Sequence, residues 1–506
     1  MAALSQDGFM LSELLDGITT IDVPSDHEIH GLCLDSRRVK SGDCFIALSG
    51  ASCHGAKYAQ AAIAAGATAV IIENEQIDVD IAGISAVPVV RVDGLRKELG
   101  RIASRFFSEP STALDVIAVT GTNGKTTVAQ ICAKALKRLH GNAGYAGTLG
   151  VGPIDNLQQS RNTTPDPISL HGLFCALLDC DCKAVAIEVS SHAIVQSRVV
   201  GTALDVVIFT NVGHDHLDYH KTQLAYAEAK KSLLRYPGIR HAIINIDDEV
   251  GRELVDELRR DICSWTYSVQ SASANADKSR HLYLAQYIGG IKASTLIVAT
   301  PQGEVEITTP LIGDFNAQNL MAALAALMAL GIDVNAAANA LTQTSGIVGR
   351  MQLIESPYVD DPVVIIDYAH TPESLARVLA ALRSITARNV LCVFGCGGDR
   401  DKTKRAPMGL VAEQGADTVI ITSDNPRSES SVDIAAEIMV GIHEPHRVQV
   451  IHDRAQAIKS AILAGGRGDV VLIAGKGHEV HQEIADAKSR FSDAEVAGHA
   501  FRGQSM

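Results

Sequence analysis

The chain has 506 residues, 46% of them hydrophobic and 20% charged, enough for several globular domains with ample cores, three being the natural division. A formal net charge of −14 argues against nucleic acid as the main partner, while a local basic pocket for a phosphorylated substrate stays open. Met1 to Gly17 lacks a basic segment followed by a cleavable apolar core, and no apolar run approaches the roughly 18 residues of a membrane span, so neither a secretory signal nor a membrane span is expected.

Residues 1–110 read as a small α/β domain. Apolar runs predict strands at 44–48, 69–72 and 88–92, a helix follows at 95–107, and Ser108-Glu109-Pro110-Ser111 has the composition of a linker. Taken alone, Asp35-Ser36-Arg37 is a polar turn.

Residues 111–348 form the expected central domain. The apolar run Val116-Ile117-Ala118-Val119 leads into Thr120-Gly121-Thr122-Asn123-Gly124-Lys125-Thr126-Thr127, and a helical pattern continues over 128–139. Strand, glycine loop and helix start make a phosphate cradle. Glycines bring backbone N–H groups close to an anion, and the helix N-terminus adds its dipole. Lys125 then reaches the β/γ-phosphates and the Thr126 hydroxyl suits Mg²⁺. The spacing departs from the common P-loop, which has a glycine where this chain has Val119. Further strands are expected at 184–189, 206–210 and 242–245, separated by helical patterns. Continuous apolar strands alternating with helices mean a buried parallel sheet. Glu188 lies near the carboxyl end of one strand, and Asn211 to His220, rich in Asp and His, follows another. Ligands sit at that edge of a parallel sheet, so carboxylate and imidazole there suggest a divalent metal beside the phosphate loop. Singly, each histidine reads as an ordinary loop residue. A β-rich insert (282–309) and a helix (316–330) close the domain, the apolar stretch 321–332 reads as buried helix, and Gly346 to Arg350 is a candidate hinge. Ten cysteines are scattered; Cys180 and Cys182 are close, with no second Cys or His pair to complete a metal site, the pattern of reduced thiols in a cytosolic enzyme.

Residues 349–506 are expected to be a third α/β unit, Rossmann-like, with strands at 363–367, 390–394, 418–421 and 470–473. Thr371 caps a helix with Pro372 in its first turn, and Leu375, Val378, Leu379 and Leu382 give it one apolar face.

Taken together, Thr120 to Thr127, Glu188-Val189-Ser190-Ser191-His192, Asp215-His216-Leu217-Asp218 and Asp367-Tyr368-Ala369-His370-Thr371-Pro372 resemble the Mur ligases over essentially the whole chain. These are ATP-dependent enzymes that extend the peptide of peptidoglycan precursors, in cell-wall synthesis and hence cell shape and division. The resemblance implies three α/β domains: an N-terminal binder of the UDP-linked precursor, a central P-loop ATPase and a mobile C-terminal domain for the amino acid. It also implies an acyl-phosphate mechanism, ATP and Mg²⁺ as cofactors, a cytoplasmic location and a monomer.

Site residues follow from the same resemblance. ATP is expected at Gly121, Thr122, Asn123, Gly124, Lys125, Thr126 and Thr127, with Asn316 or Asn319 near adenine and Arg350 and Asp367 approaching the nucleotide between domains. Taken alone, Asp367 also reads as a capping or ion-pairing residue. Metal ligation is expected from Thr126, Glu188, His216 and Lys230, the lysine as a carbamate; pattern alone does not separate Lys230 from Lys231, and the motif's register selects Lys230. Lys125, Glu188, His216, Lys230 and Arg350 make the catalytic set. The UDP precursor is expected at Leu34, Ser36, Ala51, Ser52 and Cys53, the last three mainly through backbone, and at Asn162, Thr163, Thr164, Ser190, Gln196 and Arg198. Ser423-Asp424-Asn425-Pro426-Arg427 resembles the motif of the diaminopimelate-adding branch, otherwise a simple turn. With Arg400, Gly475 and Glu479 it implies that meso-diaminopimelate is joined to the D-glutamate γ-carboxylate of a UDP-muramoyl-dipeptide. A guanidinium at Arg427 suits the distal carboxylate that lysine lacks. Rival readings are a lysine-adding member, a folylpolyglutamate synthetase using the same ATP site, and a nucleotide-binding scaffold without catalysis.

Overall fold

The computed structural model describes residues 8–19, 26–50, 52–75, 86–213, 215–270, 278–485 and 487–502. The fold is α/β with parallel sheets, as the apolar strand runs require. Two compact units divide the chain, Met1–Thr266 with Ala325–Asp333, and Tyr267–Leu324 with Val334–Met506.

Besides a two-stranded antiparallel pair, Phe9–Met10 with Glu28–Ile29, the first unit holds two sheets that matter here. In the smaller, Gly31–Cys33, Asp43–Ala47, Ala69–Glu73 and Val89–Val92 run parallel in that order, and helix Leu95–Phe106 buries Leu95, Leu99, Ile102 and Phe106. In the larger, the strand before the phosphate loop, Asp115–Thr120, is central. It lies between Val206–Phe209 and Ala184–Glu188, with His241–Asn245 beyond the former and Gly144–Gly147 beyond the latter, all parallel. Gly150–Pro153 closes that edge antiparallel. Register pairs Glu188 with Val119 and Phe209 with Thr120, so the carboxylate and the loop after Phe209 both emerge beside the phosphate loop.

The second unit carries three antiparallel strands, His281–Ile288, Ser294–Thr300 and Gly303–Thr309, which are the expected β-rich insert. Its main sheet runs Gln352–Ile354, Val363–Asp367, Val470–Ala474, Val390–Phe394, Thr418–Ile421 and Val448–Val450. All neighbours are parallel except the first pair. The loops after the four central strands therefore leave one sheet edge together: 368–371, 475–479, 395–404 and 422–430. Helix Pro372–Ile385 is capped by Thr371, whose hydroxyl accepts from Ser374 N at 3.2 Å, and buries Leu375, Val378, Leu379 and Leu382 as its periodicity requires.

Below this edge a fully buried ion pair ties the last helix, Asp493–Phe501, to the sheet. Arg454 donates to both carboxylate oxygens of Asp493 (2.7 and 2.8 Å) and to Ala474 O (3.0 Å). Asp493→Ala is expected to cost about 3–5 kcal/mol because it leaves a buried guanidinium uncompensated. A urea midpoint shift followed by circular dichroism reads this, and a loss below about 1 kcal/mol would equate the pair with an exposed one. Among the described residues, no helix is long and apolar enough to cross a membrane.

Candidate active site

The phosphate loop is built by backbone that only glycine accepts at one point. Gly121 has φ +149°, and a Cβ there would lie 1.9 Å from Thr210 Oγ1. The loop is held from its neighbours. Thr210 Oγ1 donates to Asn123 O (2.6 Å), Asn123 N donates to Asn211 Oδ1 (3.0 Å), and Thr122 N donates to Asn211 O (2.8 Å). Gly124, at φ +87°, delivers the chain into helix Lys125–His140, which starts three residues earlier than its apolar pattern does. Lys125 Nζ lies back on the loop, donating to Gly121 O and Thr122 O at 2.9 Å each.

Glu188 is fully buried and accepts from four donors: Thr126 Oγ1 (2.9 Å), Thr148 N (2.8 Å), Thr148 Oγ1 (3.1 Å) and Tyr145 Oη (2.5 Å). Burial, with the Glu188 charge adjacent, raises the Tyr145 phenol well above its ordinary range, so it stays a donor. A carboxylate and a hydroxyl at 2.9 Å are hard oxygen ligands of the kind Mg²⁺ takes, and fit that ion. Among the described residues, no group of three or more His, Cys, Asp and Glu side chains forms a ready metal cage.

The two adjacent lysines separate cleanly. Lys230 is 1% exposed, donates to Gly121 O at 2.7 Å, and its Nζ lies 4.5 Å from the Tyr226 ring centroid. Burial, reinforced by Lys125 and opposed by Asp215, drives its amine well below the usual lysine range. Lys231 instead pairs with Glu253 (2.9 Å) and Glu257 (3.1 Å); burial acts to lower its amine, but the two carboxylates outweigh this and raise it. Tyr226 Oη is 3.1 Å from Thr122 Oγ1, and its ring centroid is 6.3 Å from that of His216. His216 has φ +53°, sits 3.5 Å from Asp215 Oδ2, and packs edge-on against His192 at 4.9 Å. Lys125, Thr126, Glu188 and Lys230 thus gather around Gly121 to Thr126 from one helix start, one strand end and a second helix, and the His216 ring packs against Tyr226 beside them.

Of the precursor residues, Thr164, Ser190, Gln196 and Arg198 form one network. Thr164 Oγ1 donates to Glu188 O (2.8 Å) and accepts from Ser190 N (3.1 Å). Arg198 donates to Thr164 O (2.7 Å) and through Nε and Nη2 to Gln196 Oε1. Asn162 is exposed, and Thr163 lies 3.4 Å from Thr148 Oγ1. In the smaller sheet, Leu34 packs against the core and Ser36 opens a 3₁₀ turn capped by Asp35, which Arg37 holds down at a pKa of about 2. Ser52 is exposed and Cys53 Sγ is 3.6 Å from Tyr58 Oη; Ala51 lies outside the described residues, as does His214.

In the second unit Asn316 and Asn319 are buried and bonded to each other at 2.8 Å, Asn316 also donating to Ile312 O. Arg350 lies over the Tyr368 ring at 4.5 Å. Both Asp367 oxygens accept backbone N–H, from Met351 and Ala369, at 2.8 Å each, so this carboxylate ties its own turn to the chain at Met351. Arg427, at φ +51°, donates through Nη1 to Gly398 O (2.7 Å), with Glu483 3.4 Å from its Nε. Pro426 and Asp424 are buried, Arg400 is exposed, and Gly475 has φ +111° where a Cβ would lie 2.7 Å from Asp424 Oδ2. Asn425 Nδ2 donates to Glu479 Oε2 at 2.8 Å. Burial raises the Glu479 carboxyl, but Lys476 and Asn425 outweigh it and keep it ionised.

Four residues beyond the expected set support these networks: Tyr145, Thr148 and Tyr226 in the first unit, and Lys476 in the second. Tyr226 carried a signal, since it stands four residues before Lys230 and so shares its helix face. Gly144–Gly147, which carries Tyr145 and leads into Thr148, is too glycine-rich to read as a strand.

Comparison with known proteins is consistent along the chain. The family description "Mur ligase middle domain" matches residues 119–327, "Mur ligase, glutamate ligase domain" 349–477, and "Mur ligase family, catalytic domain" 28–107. The UDP-N-acetylmuramoyl-L-alanyl-D-glutamate–2,6-diaminopimelate ligase of Pseudomonas aeruginosa is 44% identical over 475 residues, 93% of this chain and 95% of its own. The ligase of that name from Coxiella burnetii is 40% identical over 494 residues, 98% of this chain and 100% of its own. A solved structure of such a ligase matches with a TM-score of 0.71 at 34% identity, covering 98% of this chain and 99% of that one.

Proposed function

This chain belongs to the Mur ligase family, and we propose that it joins meso-diaminopimelate to the γ-carboxylate of D-glutamate in UDP-N-acetylmuramoyl-L-alanyl-D-glutamate, at the expense of ATP. The observation that carries this reading is the loop Ser423–Arg427. It meets Gly398 and Glu479 at the carboxyl edge of a parallel sheet, where such folds bind ligands, in a chain 44% identical to a diaminopimelate ligase.

The chain's own groups suit each step. The loop amides from Gly121 to Thr127 and the Lys125 ammonium hold the transferred phosphoryl group and stabilise charge on it. Thr126, Glu188, His216 and Lys230 would hold Mg²⁺, which when bound neutralises phosphate charge. Lys230 suits carbamate formation because a lowered pKa favours the neutral amine, whose nitrogen bonds to the carbon of CO₂ as one proton leaves. Arg198, with Thr164, Ser190 and Gln196, fixes the muramoyl dipeptide so that its carboxylate takes the phosphoryl group. The amine of diaminopimelate then attacks the acyl phosphate and phosphate departs. Asn316 and Asn319 are assigned to adenine, and Arg350 to the developing phosphoryl charge. Leu34, Ser36, Ser52 and Cys53 are assigned to the uridine end. The reaction is placed in the cytoplasm, as part of peptidoglycan synthesis; all ten cysteines are free, as a reducing compartment keeps them.

A guanidinium has five donors, so Arg427 retains several for a carboxylate while holding Gly398. Arg427→Ala is expected to lower kcat/KM for meso-diaminopimelate by about ten- to a hundredfold, with ATP and precursor binding little changed. Lysine stays poor but gains relative to diaminopimelate, because the unpaired-guanidinium penalty is gone. Amino-acid-dependent phosphate release, measured with the UDP-muramoyl-dipeptide and a panel of amino acids, tests the function itself. Turnover with lysine alone, or with glutamate on a folate, would replace this reading; nucleotide binding without any acceptor-dependent turnover would make the protein a scaffold.

A further inference from the structure

A lysine that the reaction scheme leaves unused lies beneath the amino-acid loops. Lys476 is fully buried, between Gly475 at φ +111° and Gly477 at φ +53°. At both glycines a Cβ would strike neighbouring atoms within 2.8 Å, Asp424 Oδ2 at the first and Gly349 O at the second, so the strand exit is squeezed and Lys476 is turned inward. Its ammonium donates to Asn425 Oδ1 at 3.0 Å and to Glu479 Oε2 at 2.9 Å. Asn425 Nδ2 donates to that same Glu479 oxygen at 2.8 Å, and Asn425 Oδ1 also accepts from Glu483 N at 3.0 Å. One buried cation thereby joins the loop after Thr418–Ile421 to the loop after Val470–Ala474. An ammonium is costly to bury, and an apolar side chain would fill the space without that cost.

We propose that Lys476 is a positioning and charge-setting residue of the amino-acid site, holding Asn425 and Glu479 in one geometry and cancelling the Glu479 charge. This rests on the assignment of those loops to diaminopimelate. The cancellation bears on selectivity. Diaminopimelate carries two carboxylates and two ammonium groups, net zero, whereas lysine is net positive. A site whose carboxylate is already neutralised gives no advantage to surplus positive charge, and an unpaired Glu479 would.

The test uses the full-length enzyme with Lys476→Met, close in shape and neutral. kcat/KM for diaminopimelate should fall about tenfold or more, while that for lysine holds or rises, and KM for ATP and for the UDP precursor stays within about threefold. A general structural defect would instead raise all KM values together, and that result, or an unchanged ratio of the two amino acids, overturns the proposal. Lys476→Met/Glu479→Gln removes both charges and keeps the test open if the single variant does not fold. Acting through Glu479, Lys476 should add less than about threefold to the effect of Glu479→Gln alone, and a further tenfold loss would refute the coupling. A wild-type enzyme without diaminopimelate-dependent phosphate release would overturn the proposed function; a normal wild type with indifferent variants would overturn the Lys476 proposal alone.

Discussion

Lys125→Ala is expected to abolish acyl-phosphate formation while the protein stays folded. The residue begins helix Lys125–His140, is half-buried, and donates to Gly121 O and Thr122 O within its own loop. Alanine is a good residue for a helix start, so the stability cost should stay near 1 kcal/mol. The catalytic cost is of another size. A single preorganised donor to developing charge is worth about 10²–10³ in rate, and a cation on the transferred phosphoryl group sits at least at the upper end. The measurement is phosphate release with saturating precursor and amino acid, beside a thermal melt of each protein. Near-normal turnover would remove the phosphate-loop assignment, Val119 notwithstanding. A variant that melts far below the wild type would mean that the lysine braces the loop against Gly121 and Thr122 more than it serves the nucleotide.

What sequence reveals here depends on whether a residue's partners are local. Val116–Val119 and Val363–Ile366 read as strands because a parallel strand buried on both faces needs an unbroken apolar run, and they are strands. Thr371 and Pro372 mark a helix start by chemistry contained within four residues. Gly144–Gly147 has no such signature, since glycine is a poor strand former, and its place is set by pairing with Ala184–Glu188. Missing that strand meant missing Tyr145 and Thr148, two of the three residues that hold Glu188. Lys476 is illegible for a similar reason: beside two glycines a lysine reads as exposed, and only the approach of two loops from distant strands buries it. Asp367 combines both kinds of partner: its oxygens accept N–H from Ala369 in its own turn and from Met351, sixteen residues earlier and invisible to local pattern. The sequence left Lys230 and Lys231 equivalent except through the motif's register, and tertiary contacts give them opposite environments.

Those opposite environments make Lys230 the second substitution with a large expected effect. Lys230→Ala should lower kcat by about a hundredfold or more, and Lys231→Ala should cost little activity. Loss of activity alone does not say why, because the amine as it stands already bonds Gly121 O at 2.7 Å and so braces the phosphate loop. Two roles are separable by rescue. Truncation at a site 1% exposed leaves a cavity with a polar wall, able to take a small molecule. If the residue acts as a carbamate beside Mg²⁺, short carboxylates such as acetate or propionate should restore part of the rate and lower the Mg²⁺ concentration needed. Should it act as an amine that tethers Gly121, methylamine or ethylamine should restore it, and carboxylates should not, since a carboxylate facing a carbonyl oxygen is repelled. Depletion of CO₂ adds an independent check: the wild type should lose activity reversibly and regain it with bicarbonate, while the carboxylate-rescued variant is indifferent. Rescue by amines, with no response to CO₂, would leave the brace as Lys230's function and remove the carbamate from the metal site.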